Sequence, residues 1–166
     1  MTARLARTLE RMVVSAGILA AWLGLPLLVA SVAFTPLARW TGWGGDAPAA
    51  ELGTLAFLAV TMTSFGYAYA SGEHVRLDVM RRRFSARANA AIELVATIFI
   101  VLPLCAVVLI DGAGATWLSL AQGEHWGDTH WPLQWAVRIW IPLGFALLMA
   151  AALASAFRSA LTLARR

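Results

Sequence analysis

The sequence predicts an all-α, polytopic membrane protein with four transmembrane helices. Apolar residues occupy 60% of its 166 positions and charged residues only 13%, and the mean hydropathy is +0.72. Soluble domains carry about 25% charged residues, so this composition is typical of a chain whose solvent is lipid. Four long stretches lack charged residues, and a helix needs ~20 such residues to cross the hydrocarbon core of a bilayer.

We predict a single membrane domain over residues 1–166, with helices near residues 12–37, 49–72, 88–111 and 133–157. The first apolar run is too long for the h-region of a signal peptide, which spans ~7–15 residues, so an uncleaved first helix is expected. Proline removes a backbone donor, and Pro26 and Pro103 are therefore predicted to bend the first and third helices. Ser85 is a plausible N-cap for the third helix.

The distribution of arginine predicts the orientation of the chain. All 13 basic residues are arginine, and they stand in short blocks beside the apolar runs. This pattern is typical of membrane topology and contact with lipid headgroups, not of nucleic-acid binding. Three precede the first helix, five lie in the second loop and three at the C-terminus, whereas the first loop has only Arg39. The positive-inside rule then places both termini in the cytoplasm.

The second loop holds the most polar stretch of the chain. Apolar and polar residues alternate there, so an extended segment would put the polar side chains on one side. If the stretch is helical, His74 and Asp78 are four residues apart and can pair. Two interpretations remain open: a loop that binds lipid headgroups, and a surface that binds a partner protein. The candidate partner-binding or structural residues are Glu73, His74, Arg76, Asp78 and Arg82.

We expect no catalytic residue, no cofactor and no metal site, and therefore no enzyme. The polar stretch lacks a nucleophile or a metal partner. Ligand-type residues recur in the third loop, but their spacing matches no strong metal motif, so a solvated loop is expected. Those residues are Glu124, His125, Asp128 and His130.

Charged residues near the helix ends are expected to pair and hold the bundle. Arg138 and Asp111 share one side of the membrane, and Glu93 can reach Arg87 or Arg76 on the other. Small residues at every fourth position predict close helix packing. They are Ala16, Ala20 and Gly24 in the first helix, and Ala146, Ala150 and Ala154 in the fourth.

Two motifs add a resemblance to a known family. The sequence GEHVRLDV at residues 72–79 is followed by RRFS at residues 82–85, and IPLGF stands at residues 141–145 in the last helix. With four helices and a long third helix, the chain resembles the DctQ-type small membrane subunit of tripartite ATP-independent periplasmic (TRAP) transporters. The resemblance covers nearly the whole chain.

The resemblance implies a multi-pass protein of the bacterial inner membrane. Its implied partners are a large TRAP permease subunit and a periplasmic substrate-binding protein, together with membrane lipids. The implied activity is support of sodium-coupled import of an organic acid or related solute, with the substrate and sodium sites in the large subunit.

Two alternatives stay open at this point. One is a membrane anchor for a redox or signalling complex. The other is a small self-sufficient four-helix transporter, although such proteins depend on an acidic residue within the first helix, and residues 12–38 contain none.

Overall fold

The computed structural model of the chain describes residues 2–41, 46–71, 84–125 and 134–164. In these ranges the backbone is helical apart from short turns, and it contains no strand. Four helices are long and apolar enough to cross a membrane, which confirms the predicted fold class. They are α1 (Thr2–Thr41), α2 (Asp46–Ser71), α3 (Ala86–Gln122) and α4 (Gln134–Ala164).

The helices extend beyond the charge-free stretches, most clearly at the start of α1 and the end of α3. In α3 the helix does not end near residue 111 but continues to Gln122. Gly123 then adopts a left-handed φ of 61°, and its N–H donates to the carbonyls of Ser119 and Leu120. Glycine takes this conformation without a steric penalty from Cβ, so it ends the helix there.

The fourth helix lies at the centre of the bundle. It contacts α1, α2 and α3, and α1 and α2 also pack along each other. Arg158, near the end of α4, pairs with Glu10 near the start of α1, so both termini lie at one end, which we call the proximal end. The opposite, distal end is marked by the pair of Arg138 and Glu124. The side of the membrane that each end faces stays a prediction.

Glycine residues allow close contact between α1 and α2. A Cβ atom at Gly17 would lie 2.7 Å from the Cβ of Tyr67, and one at Gly24 would clash with Val60. Gly17, Gly24 and the buried Ser31 follow one another at seven-residue spacing along this contact. In the predicted ridge only Gly24 is fully buried, whereas Ala16 and Ala20 are half-buried.

Small residues also fill the buried side of α4, but not at the predicted spacing. Ala154 is fully buried, Ala150 is half-buried and Ala146 is exposed. The reason is that α4 contacts helices on several sides, so its buried residues do not form a single four-residue stripe. The fully buried small residues of α4 are Gly144, Ala151, Ala152, Ala154, Ser155 and Ser159.

The third helix contains one π-helical turn, Thr97–Val101, between the α-helical parts Ala86–Ala96 and Leu102–Gln122. The N–H of Leu102 donates to the carbonyl of Thr97, five residues earlier. Pro103 follows directly and has no N–H to continue the regular pattern, and such interruptions are where wider turns occur. The π turn therefore lies where the sequence predicts a disturbance of this helix.

Ser85 caps the first turn of α3, as predicted. Its Oγ accepts a hydrogen bond from the N–H of Ala88 at 3.2 Å. Ser85→Ala should lower the free energy of unfolding by about 1 kcal/mol, because the mutation removes this acceptor. Thermal unfolding in mild detergent measures the change. Ser85→Asp keeps an acceptor and should retain the wild-type midpoint, and equal midpoints for Ser85→Ala and Ser85→Asp would contradict the assignment.

Candidate functional site

The predicted partner-binding residues lie on the connection between α2 and α3. Glu73, His74, Arg76, Asp78 and Arg82 all belong to residues 72–83, which are outside the described residues. Their roles therefore stay predictions. The structure does describe the helix ends that carry this connection, at Ser71 of α2 and at Ala86 of α3.

An open cavity of about 500 Å³ lies at the proximal end between these helix ends and α4. Polar side chains dominate its lining, in contrast to the apolar surfaces elsewhere on the bundle. This cavity is consequently where polar residues of α2, α3 and α4 meet. Its polar lining residues are Ser71, Asn89, Glu93, Ser155, Arg158, Ser159 and Thr162.

Hydrogen bonds that start from the lining residues Glu93 and Ser155 join three helices. The buried Ser155 donates from Oγ to Oε1 of Glu93 at 2.6 Å. The Thr97 hydroxyl donates to the carbonyl of Glu93 at 2.7 Å and lies 3.0 Å from the Tyr69 hydroxyl. Because Thr97 has only one hydroxyl hydrogen, Tyr69 is the donor in that contact. The network connects Tyr69 of α2 through α3 to Ser155 of α4.

The proximal end also contains an ion pair, formed by Arg158 of the cavity lining. The guanidinium of Arg158 binds the carboxylate of Glu10, and this pair joins α4 to α1. Half of the Arg158 side chain is exposed, so the pair contributes at most about 1 kcal/mol. Its main effect is to hold the first and last helices together where the chain begins and ends.

At the distal end Arg138 binds a different carboxylate from the one predicted. Its Nη2 lies 2.9 Å from Oε2 of Glu124, and its Nη1 donates to the carbonyl of Ala115 at 3.4 Å. The predicted pairing with Asp111 is wrong, because α3 continues past Asp111 and Gly123 turns the chain so that Glu124 reaches Arg138. For Glu93 the predicted arginine partners include Arg76, which is outside the described residues.

The ligand-type residues of the third loop are only partly described. Glu124 binds Arg138, and His125 is exposed. Asp128 and His130 lie outside the described residues. Within the described ranges no three histidine, cysteine or acidic side chains come close enough to hold a metal ion.

One protein-family model matches most of this chain. The family model for the DctQ component of tripartite ATP-independent periplasmic transporters matches residues 28–162. The chain belongs to the DctQ family. No curated protein and no solved structure matches it. DctQ proteins are components of transporters and not a family of enzymes, and four apolar helices make this DctQ chain a multi-pass membrane protein.

In this DctQ protein the IPLGF motif is a junction of three helices. Pro142 lies against Gly112 of α3, where an added Cβ would be 3.1 Å from the proline Cδ. Gly144 lies against the backbone of Met62 in α2, and the ring of Phe145 packs edge-on against Phe65 at a centroid distance of 6.2 Å. The motif therefore joins α4 to α2 and α3, which the sequence alone did not reveal.

The sequence alone did not indicate that Ser155 and Tyr69 belong to the hydrogen-bond network, or that Glu10 is an ion-pair partner. Ser155 lies in an alanine-rich helix, where its hydroxyl is a weak but visible signal. Glu10 precedes the first charge-free stretch and is surrounded by arginines. Its pairing with Arg158, rather than with a neighbour in sequence, follows only from the packing of α1 against α4.

Proposed function

We propose that this DctQ chain is the small membrane subunit of a TRAP transporter in the bacterial inner membrane, with the proximal end in the cytoplasm. It supports a large permease that imports an organic acid or related solute together with sodium ions. A periplasmic binding protein delivers the solute. The observation that carries the proposal is the family match over residues 28–162. The subunit itself is not an enzyme.

The described polar contacts are consistent with a structural subunit. Glu93 accepts from Ser155, Glu10 binds Arg158, and Arg138 binds Glu124. Ionisable groups within membrane helices commonly serve as solute or ion sites, whereas these three contacts join one helix to another. The proposal accordingly assigns the substrate and sodium sites to the large permease.

Solute uptake by cells that make the complete transporter tests the proposal. Cells would express this chain with a candidate large permease and a candidate periplasmic binding protein, and uptake of a labelled solute would be measured. We expect uptake to require all three proteins and an inward sodium gradient. Full uptake without this chain would contradict the role of subunit, and uptake that ignores the sodium gradient would contradict the sodium coupling.

The connection between α2 and α3 is the proposed docking element on the cytoplasmic side. Glu73, His74, Arg76, Asp78 and Arg82 supply both charge signs within a short stretch, and such a stretch can pair with a partner as well as with headgroups. The two helix ends that carry it border the polar cavity. The proposal is that this element sets the position of the large permease.

Arg76→Ala distinguishes docking from topology. We expect uptake to fall several-fold while insertion is unchanged, because the four other arginines of this loop still set the orientation. Arg83→Ala is the matched control, since it removes the same charge from the same loop but lies outside the docking set. Uptake and a topology reporter fused to the C-terminus are measured for both variants. Equal uptake in the two variants would reduce the stretch to a topology signal.

A further inference from the structure

The distal half of α3 carries two stripes of residues at seven-residue periodicity, and only one of them is covered. The covered stripe consists of Cys105, Gly112 and Ser119; Cys105 and Ser119 are fully buried, and Gly112 lies against Pro142 of α4. The second stripe, which we call the open stripe, is exposed along its whole length. Its residues are Leu104, Val107, Asp111, Gly114 and Leu118, at alternating spacings of three and four.

Asp111 lies at the centre of the open stripe. Within the described part of the chain no side chain or backbone group donates a hydrogen bond to its carboxylate. The neighbouring Gly112 is level with Pro142, which lies one helical turn, or about 6 Å, from Arg138 along α4. Lipid chains offer no donors, and an acidic side chain within a membrane helix costs up to about 3 kcal/mol. A partner that supplies a donor would remove this cost.

Gly114 is a second feature of the open stripe that this chain does not use. A Cβ at Gly114 would meet nothing within 4 Å, whereas one at Gly112 would lie 3.1 Å from Pro142. Gly112 is thus small because α4 approaches it. A glycine on the open side, one turn from Asp111, leaves room for the backbone of another helix to approach equally closely.

We propose that the open stripe binds a transmembrane helix of the large permease, which presents a cationic or hydrogen-bond-donating side chain to Asp111. The inference rests on the proposed function. Alternating spacings of three and four are the pattern of helices packed side by side at about +20°. A second copy of this chain is disfavoured as the occupant, because a two-fold contact along the stripe brings the two Asp111 carboxylates together.

Photo-crosslinking from the open stripe tests the contact directly. A benzophenone amino acid replaces Val107 or Leu118, and, as a control, Trp117, which is 71% exposed but turned about 100° from Leu118. We expect adducts with the large permease from positions 107 and 118 and markedly fewer from position 117. Equal yields at the three positions, or no adduct from the stripe in an intact complex, would overturn the inference.

Asp111→Leu tests the role of the carboxylate in the same complex. The permease that co-purifies with the tagged subunit should fall about tenfold, the loss of one hydrogen-bonded contact within the membrane. The unfolding midpoint of the isolated subunit should not fall, because Asp111 has no partner among the described residues of the subunit. Leu120→Ala is the control, because Leu120 is also exposed but is turned about 160° from Leu118, and it should leave co-purification unchanged.

The proposed function and the binding of a permease helix by the open stripe are contradicted by different results. If the wild-type subunit captures no permease, the proposed function is wrong and the partner assigned to the open stripe is wrong with it. If the wild type captures the permease and Asp111→Leu captures just as much, the proposed function stands. Only the open stripe's role as the permease-binding surface is then excluded.

Discussion

Gly144→Ala should lower the free energy of unfolding of the isolated subunit by about 1–3 kcal/mol, the usual cost of overpacking a well-filled interior. The added Cβ would lie 2.6 Å from both the Cβ and the carbonyl oxygen of Met62. Backbone atoms cannot turn aside as the end of a side chain can, so α2 and α4 must separate. Gly144→Leu should disrupt their packing altogether, including the contact of Phe65 with Phe145.

Gly114→Ala is the matched control for Gly144. Both glycines lie within transmembrane helices, but a Cβ at Gly114 meets nothing within 4 Å. Because alanine is the better helix former, this variant should be as stable as the wild type or more stable by up to ~1 kcal/mol. Unfolding of the isolated subunit in mild detergent, followed by circular dichroism, gives both values. Equal stability of the two variants would show that α2 and α4 are not in close contact at Met62.

Ser155→Ala should lower the free energy of unfolding by about 1.5–3 kcal/mol, the range for hydrogen bonds to charged groups. The mutation removes the donor that lies 2.6 Å from Glu93 and so weakens the attachment of α3 to α4. Amide hydrogen exchange should therefore rise in α3 before it rises in α1 or α2. If Glu93→Leu is already present, Ser155→Ala should have little further effect, because the two residues share one interaction.

Ser64→Ala is the control for the loss of a serine hydroxyl. Ser64 is exposed on α2, and its Oγ donates to the carbonyl of Thr61 in the same helix at 2.7 Å. Its replacement should change the free energy of unfolding by less than about 0.5 kcal/mol. A Ser155→Ala variant as stable as Ser64→Ala would mean that the network does not hold α3.

The number and type of the helices could be predicted because the cost of burying charge in lipid controls them. Charge-free stretches and the cap at Ser85 are local features of the sequence, and the structure contains both the helices and the cap that they predict. The end of α3 was missed because the sequence offers a charge at Asp111 as an apparent boundary. The helix instead continues to Gly123, since the backbone of a membrane helix satisfies its own hydrogen bonds and a single exposed side chain does not interrupt it.

Choices between partners could not be predicted, because they depend on how the helices pack. In the sequence Arg138 has two carboxylates within reach on the same side, those of Asp111 and Glu124. Only the turn after Gly123 brings Glu124 to Arg138. The close contact at Gly144 likewise requires the position of Met62 in another helix. For the candidate docking residues, which lie outside the described residues, the sequence shows only the charges and the spacing.

The π turn sets how far the distal half of α3 is rotated about the helix axis relative to the proximal half. Gly112 stands nineteen positions after Glu93, and in a straight α-helix their directions would differ by about 100°. Both nevertheless face α4, where they meet Ser155 and Pro142, because the π turn takes up one additional residue. Deleting one residue from this turn would rotate the distal half by about a quarter of a revolution. Chain length at this turn, more than residue identity, thus decides which side of α3 is turned outward.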